Sequence, residues 1–526
     1  MTHSDESATH IWPPASEISR RALVRGAAAA GLGLTAWRGS ASASPLDLLL
    51  ATAGTPIAQV DELVIDLSSE PANIDPATTY DVDGWSIVHS LYDSLVQYDV
   101  DGKLQGVAAE SLTQLDPLTW EVKLRAGQTF HNGEALGSAS IGFSQQHIAN
   151  SKTSTIKGNF ATITAIKTVD VLTARISLST PSPWLPAQIA LWMVVLPPVY
   201  AAANDINQKP VGSGPYSFVE WKSGEHIVLA ANPNYPLDSP KGQPIAKKVT
   251  FRFVSEASTR VADLLSGSAG IIRGVPVDQI KPIADGGATT IANEISGISF
   301  IRIPTDVAPF SDVRVRQALN YAVDVEGIVS TLNGGYGKPL VSFFPERGLG
   351  YSAAATPYAY DPDKAKALLK EAGVESFETT IDYASSERSD LVEAIAAQLS
   401  DVGIKTTARA VEIATFNGSW KDQKTSPLRW ATWRPMFDPF TFLNLIVNKD
   451  GYLSRFRDDN VQALIDAAAI EPDIAKRTAL YVQLNQKLHD SPAAIYLWSQ
   501  VSIYGVAKNA PAWTTRPDDL VLPARQ

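Results

Sequence analysis

The chain has no cysteine. That excludes disulfides, thiolate zinc sites, iron–sulfur clusters, cysteine nucleophiles and any lipid carried on cysteine. An oxidising compartment suits such a sequence, although cytosolic chains also manage without thiols. Histidine is scarce: seven residues, of which His3 and His10 stand near the N-terminus. None of His89, His131, His147, His226 and His489 has the spacing that sets two imidazoles on one helix face for zinc. Basic charge is in deficit, with 44 Lys and Arg against 55 Asp and Glu, a net −11. A broad basic face for nucleic-acid phosphates is therefore not expected. The 45% hydrophobic and 19% charged content is that of a folded chain. Its 526 residues exceed the ~250–300 that one core sustains, so two or more lobes are expected.

Long apolar runs are missing too. Residues 27–36 and residues 189–203 both fall short of the ~20 needed to cross a bilayer, and Pro197-Pro198 interrupts the second. The first follows Ser19-Arg20-Arg21-Ala22-Leu23-Val24-Arg25 and precedes Ala41-Ser42-Ala43, a small-x-small cleavage site. Charged start, short apolar run and small-residue exit are the parts of an export signal. The paired arginines resemble a twin-arginine signal, with Leu23 and Arg25 where Phe and Lys are frequent. Residues 1–43 are read as this signal and 44–60 as a mature N-terminal linker. Ala51-Thr52-Ala53 offers a second cut. Removing residues 1–43 takes away three acids and four bases, leaving a mature charge of about −12. The mature chain is expected to be soluble and periplasmic.

What is present reads as mixed α/β. Leu63–Leu67, Trp120–Leu124 and Ala174–Leu178 alternate as strands, and Trp85–Val96 carries helical spacing at Ile87, Val88, Leu91 and Leu95. Asp312 caps a helix bearing Val315, Ala318, Leu319 and Ala322. Asp361-Pro362 opens another, which Gly373 closes. Thr379–Ala384, a helical stripe of Leu391, Ile395, Leu399 and Val402, and Ile404–Val411 make a βαβ unit.

Catalytic motifs are lacking. No G-x-S-x-G elbow occurs; Ser213, in Val211-Gly212-Ser213-Gly214-Pro215, has no helix-opening continuation. Gly334-Gly335-Tyr336-Gly337-Lys338-Pro339 puts proline where a phosphate loop needs Ser or Thr. No cofactor or metal is expected.

Five separated segments then carry a resemblance. They are Leu91-Tyr92-Asp93-Ser94-Leu95-Val96; the block from Ala109-Glu110-Ser111-Leu112 through Leu118–Gly127 to Phe130-His131-Asn132-Gly133-Glu134; Val211–Tyr216 with Glu220-Trp221 and Asn232-Pro233-Asn234-Tyr235; Phe310–Asp324; and Tyr360–Leu369 with Glu371-Ala372-Gly373. In this order and spacing the chain resembles the family 5 extracytoplasmic solute-binding proteins of ABC importers, which include oligopeptide-, dipeptide- and nickel-binding members. The resemblance covers residue 61 to the C-terminus.

It implies a bilobal α/β periplasmic-binding-protein-like fold of the large class, with an extra subdomain in lobe 1 and two hinge crossings, near Ile298–Thr305 and Tyr496–Ser502. Lobe 1 would comprise residues 61–300, with the subdomain at about 76–205; lobe 2 residues 301–499; and residues 500–526 would return to lobe 1. The implied function is capture of a peptide, peptide-like or anionic small molecule between the lobes for delivery to permease subunits and their ATPase, with no chemistry. A monomeric receptor is expected, exported through the twin-arginine machinery by the N-terminal signal. A secreted hydrolase on the same scaffold and a cargo-free chaperone are the alternatives. Nickel is disfavoured by the five scattered mature histidines.

Relatives that bind peptides hold the α-amino group with an aspartate four residues before a proline. Aligning on Pro439 puts Pro435 there, Asp438 sits too close to Pro439, and Arg434 has the opposite sign. The usual amine clamp is thus in doubt, since a buried ammonium needs a carboxylate. The expected site has aromatic walls from Trp430, Trp433 and Trp85, with Arg434 and, in the loop after Thr379–Ala384, Arg388 facing an anionic or oxygen-rich ligand, and Asp438 nearby. Trp430 and Trp433, three apart on a strand, should face opposite sides.

Overall fold

The computed structural model describes residues 9–10, 59–420, 428–433 and 437–525. The expected signal, apart from the two-residue strand Thr9–His10, and Arg434 lie outside the described residues.

A ten-stranded sheet runs through the molecule. From one edge its order is Ile404–Val411, Phe377–Ala384, Leu428–Trp433, Thr289–Arg302, Ala494–Val506, Ile271–Arg273, Val60–Leu67, Ala246–Phe253, His226–Ala231 and Tyr216–Lys222. Two long strands in the middle, Thr289–Arg302 and Ala494–Val506, pair antiparallel with each other and belong to both halves. The end of Ala494–Val506 pairs with Ile271–Arg273 of the first lobe, and the end of Thr289–Arg302, from Ile298, pairs with Leu428–Trp433 of the second. Their mutual register shifts between Glu294 and Ile298 and again between Ile298 and Phe300. The ladder is thus least regular where the chain passes from one half to the other.

The apolar residues divide the same way. One large cluster gathers Ile65, Trp85, Leu91, Val122, Ile176, Phe251 and Tyr504. Two others fill the second half, one around Val315, Ile395 and Trp430, the other around Phe300, Phe442 and Leu484. Phe437 lies between the second half's elements in sequence yet packs in the first half's cluster. Its ring stacks on Tyr98 with centroids 3.7 Å apart, and Phe440 stacks on Trp184 at 4.3 Å. The chain around Phe437–Phe440 is therefore a bridge between the lobes.

A smaller five-stranded sheet bears the helix Ser138–Asn150 and forms the extra subdomain of the first lobe. Its strand Ala109–Asp116 pairs through Thr113 and Gln114 with Thr9–His10, the edge of the sheet.

Local signals explain most elements. Asp312 Oδ1 accepts from Arg314 N at 2.8 Å and starts Val313–Tyr321; Asp361 Oδ1 accepts from Lys364 N at 2.9 Å and starts Pro362–Glu371. Phe377–Ala384 and Ile404–Val411 pair in parallel across the helix Ser389–Asp401, the βαβ unit expected.

One expected helix is displaced. The periodicity predicts it over Trp85–Val96, whereas it spans Val82–Leu91. Asp81 is its cap, accepting from Gly84 N at 2.7 Å. Its end is set from far away: Gly214 N donates to Leu91 O at 2.9 Å, and a Cβ on Gly214 would lie 2.7 Å from the Leu91 carbonyl carbon. His131 N donates to Gly212 O at 2.8 Å, and Asp93 accepts from Lys241 Nζ and Tyr235 OH, each at 3.0 Å. Three of the resembling segments thus meet at one buried junction. They are structural, which is why they read as motifs without any catalytic pattern.

Candidate functional site

Between the lobes lies a chamber of about 770 Å³. The helix Val82–Leu91 brings Val82 and Trp85 to its first-lobe wall, and Tyr80 and Trp192 complete that wall's aromatic surface. Trp85 is almost wholly buried; its Nε1 donates to Thr79 O at 3.1 Å, and its ring meets Trp192 edge-on at 5.4 Å. Tyr80 stacks on Trp192 at 6.4 Å. These interlocked rings leave little rotamer freedom, so this wall is preformed.

The second-lobe wall is built on Ile404–Val411, after which Glu412 caps the short helix Ile413–Gly418 by accepting from Ala414 N and Thr415 N, both at 2.9 Å. That turn presents Ile413, Phe416, Asn417 and then Trp420 to the chamber. Behind them the fully buried Arg429 guanidinium lies 4.2 Å from the Phe416 ring and 4.6 Å from Trp420, while Arg302 covers Trp420 at 5.1 Å. Guanidinium faces on aromatic rings hold those rings in place at little cost in hydration. Burial, with Arg429 alongside, pushes the Arg302 guanidinium down to about 9. Burial also lowers that of Arg429.

Leu428–Trp433 contributes four consecutive residues, Trp430 to Trp433. Trp430 and Trp433 do face opposite ways: Trp430 meets Trp498 in one core cluster, and Trp433 meets Phe442 in another. Both nonetheless line the chamber. Phe377–Ala384 pairs with this strand only at Ile381–Leu428 and Asp382–Arg429. Beyond Arg429 that side of the strand opens on the chamber and has no neighbouring strand among the described residues.

The charged expectations fare differently. Arg388 stands away from the chamber: its Nη2 donates to Leu332 O at 2.9 Å, its fork closes on Asp390, and it is not among the lining residues. An acid two residues away on the same helix start outcompetes a distant ligand. Asp438 is buried at a small cavity that adjoins the aromatic chamber and shares Tyr80, Trp192 and Trp433 with it; it is paired with Arg477 at 3.2 Å and accepts from Tyr481 OH and Phe440 N, each at 3.0 Å. Arg434 lies outside the described residues. The charged groups that do line the chamber among the described residues are Asp81, Glu387 and Asp518. An anion-facing wall is therefore not what these residues present. The sequence reading missed Tyr80, Trp192, Phe416, Trp420 and Tyr452, which come from four distant segments with no common spacing. Among the described residues no group of three or more His, Asp or Glu could hold a metal ion.

Two hinged α/β lobes with an aromatic-walled chamber between them define the class of bilobal solute-binding proteins. The sequence profile of the bacterial extracellular solute-binding proteins, family 5 Middle, matches residues 103–454, and the chain belongs to this family. It is 27% identical over 484 residues to the Probable D,D-dipeptide-binding periplasmic protein DdpA of Escherichia coli strain K12, covering 86% of this chain and 92% of that one. It is 27% identical over 496 residues to the glutathione-binding protein GsiB of Pectobacterium atrosepticum, covering 89% and 95%. The crystal structure of the ABC transporter substrate-binding protein CtaP from Listeria monocytogenes superposes with a TM-score of 0.79 over 89% of this chain and 99% of the other, at 23% identity, a likeness of fold. The family is one of solute-binding receptors, which displaces the hydrolase alternative.

Proposed function

We propose that this chain is the receptor of an ABC importer that captures a peptide or peptide-like solute in the aromatic chamber and passes it unchanged to a membrane permease and its ATPase. The observation that carries this reading is the open edge of Leu428–Trp433 beside the indoles of Trp430, Trp433 and Trp85. Backbone amides on an unpaired strand edge bind a peptide-like backbone irrespective of sequence, and aromatic faces accept varied side chains. Relatives named for a D,D-dipeptide and for glutathione support this ligand class.

The chamber takes walls from both lobes, so a ligand touching both favours the closed arrangement and shifts the population toward it. The hinge of this reading lies at Glu294–Phe300 and the facing Tyr496–Val501, where the register shifts. Lobe 1 then comprises residues 61–300 with its return after 499, and lobe 2 residues 301–499. Residues 1–43 act as a twin-arginine leader, placing a monomeric receptor in the periplasm.

Calorimetric titration with di- and tripeptides, γ-linked peptides and acidic sugars tests the ligand class, with recovered ligand checked by mass spectrometry. Peptide-like binding accompanied by compaction in small-angle scattering is expected. Turnover of the ligand, or an unchanged scattering profile with every bound solute, overturns the receptor reading.

A further inference from the structure

The glycine-rich run Gly334-Gly335-Tyr336-Gly337-Lys338-Pro339, which lacks the residues of a phosphate loop, lies against a hinge strand. Gly334, Gly335 and Gly337 have φ of 61°, 80° and 111°, the left-handed region that side chains disfavour, so the run folds back sharply. Lys338 N donates to Ser499 Oγ at 3.0 Å, Ser499 N to Lys338 O at 2.9 Å, and Leu340 N to Leu497 O at 3.0 Å. A Cβ on Gly337 would stand 2.9 Å from Ser499 O, so this close approach also requires glycine. The pairing falls where the two long strands lose register: Ser499 is opposite Ile298, the residue between the two shifts.

The run touches both halves. Leu340 is buried in the second-lobe cluster around Phe300, Phe442 and Leu484. Tyr336, four residues earlier, packs on a small first-lobe cluster of Val261, Leu264, Ile272 and Ile503. Between them, Lys338 Nζ reaches Glu294 of the first lobe at 3.1 Å and Glu346 of the second at 2.6 Å. These side chains are 53%, 41% and 49% exposed, so each pair is modest in strength and open to screening by salt.

We propose that residues 334–340 are a third tie between the lobes, beside the two crossings, and that Lys338 is a positioning residue holding the arrangement in which both walls face one chamber. The inference rests on the receptor reading above. Rotation at residues 294–300 and 496–501 moves Glu294 relative to Glu346, and Lys338 does not keep both partners through it. Releasing this clasp shifts the unliganded population away from the arrangement that presents both walls, leaving a ligand a smaller competent fraction to bind.

The test measures interlobe distances in the unliganded protein. Because the chain has no cysteine, Val171→Cys and Lys366→Cys, exposed and one on each lobe, take spin labels at defined places. In electron–electron distance distributions at low ionic strength, Lys338→Met and Glu294→Gln should each lower the ratio of compact to extended arrangement about threefold, the scale of an exposed ion pair. Lys338→Arg should keep the wild-type ratio. Glu346→Gln, which removes a pair within the second lobe alone, should also leave it unchanged. Both losses should vanish in about 1 M salt, where the Debye length is about 3 Å. Unaltered distances in Lys338→Met, an equal effect of Glu346→Gln, or losses that persist in high salt would each overturn the proposal. Failure of the receptor reading is distinguishable: distances that respond to Lys338→Met but never to an added solute refute capture and support the tie.

Discussion

His89 should make this protein acid-labile in a way that one substitution removes. The residue sits on Val82–Leu91, one turn after Trp85, buried, with its Nε2 3.4 Å from Leu191 O and its Nδ1 unpartnered. Burial pushes the imidazole from its ordinary 6.5 to about 3, and the nearby Lys241 and Arg516 cations add to the effect. In the unfolded chain the ring takes up a proton as pH falls through 6.5; in the folded chain it stays neutral until about 3. The unfolded state therefore binds more protons in that window, and folding stability drops as pH falls through it. Each unit is about 1.4 kcal/mol, so moving from about pH 7 to about pH 4.5 should cost about 2.5 kcal/mol through this group. The same charge would strain the helix that carries Trp85 to the ligand chamber.

The assay is urea unfolding of the wild-type protein and His89→Leu at both pH values. Other titrating groups, the buried His131 among them, are common to both proteins and cancel in the double difference. The wild type should lose about 2.5 kcal/mol more than the variant on acidification. Equal losses in the two would show that His89 is not held neutral, and the reasoning would fail.

Other perturbations are equally direct. Gly212→Ala would drive a Cβ into the Leu91 carbonyl and should cost about 3 kcal/mol or more in urea unfolding, whereas Gly158→Ala, with open space around it, should be near neutral. Arg477→Met leaves the Asp438 carboxylate buried beside Tyr481 and should destabilise by about 3–5 kcal/mol, with Asp438→Asn restoring part of the loss; an unaffected midpoint would contradict the burial of this pair. Trp433→Ala should weaken the peptide-like ligand about tenfold in a calorimetric titration, and Arg388→Ala should not change it, since that guanidinium is committed to Asp390.

Helices and strands whose limits are written in adjacent residues were legible in the sequence. Asp361-Pro362 and Gly373 bracket their helix, Asp312 starts another, and Ile404–Val411 alternates as a strand should. The end of Val82–Leu91 was not legible, because Gly212 and Gly214, some 120 residues on, close it. The candidate site divides likewise. Trp430, Trp433 and Trp85 reach the chamber, but Arg388 turns to its own neighbour and Asp438 to Arg477. Side-chain type names what a residue can bind, and competing partners decide what it does bind.

Composition excluded thiol chemistry, a dominant basic face and a membrane-spanning run, and the order and spacing of the five resembling segments pointed to a two-lobed family 5 solute-binding protein, the family whose profile matches. Only the tertiary structure decided which aromatic rings share a wall, that Phe437 crosses to the other lobe's core, and that Arg388 closes on Asp390 instead of facing the chamber. The first two outcomes depend on segments hundreds of residues apart meeting in space, and no window of sequence contains both partners of such a contact.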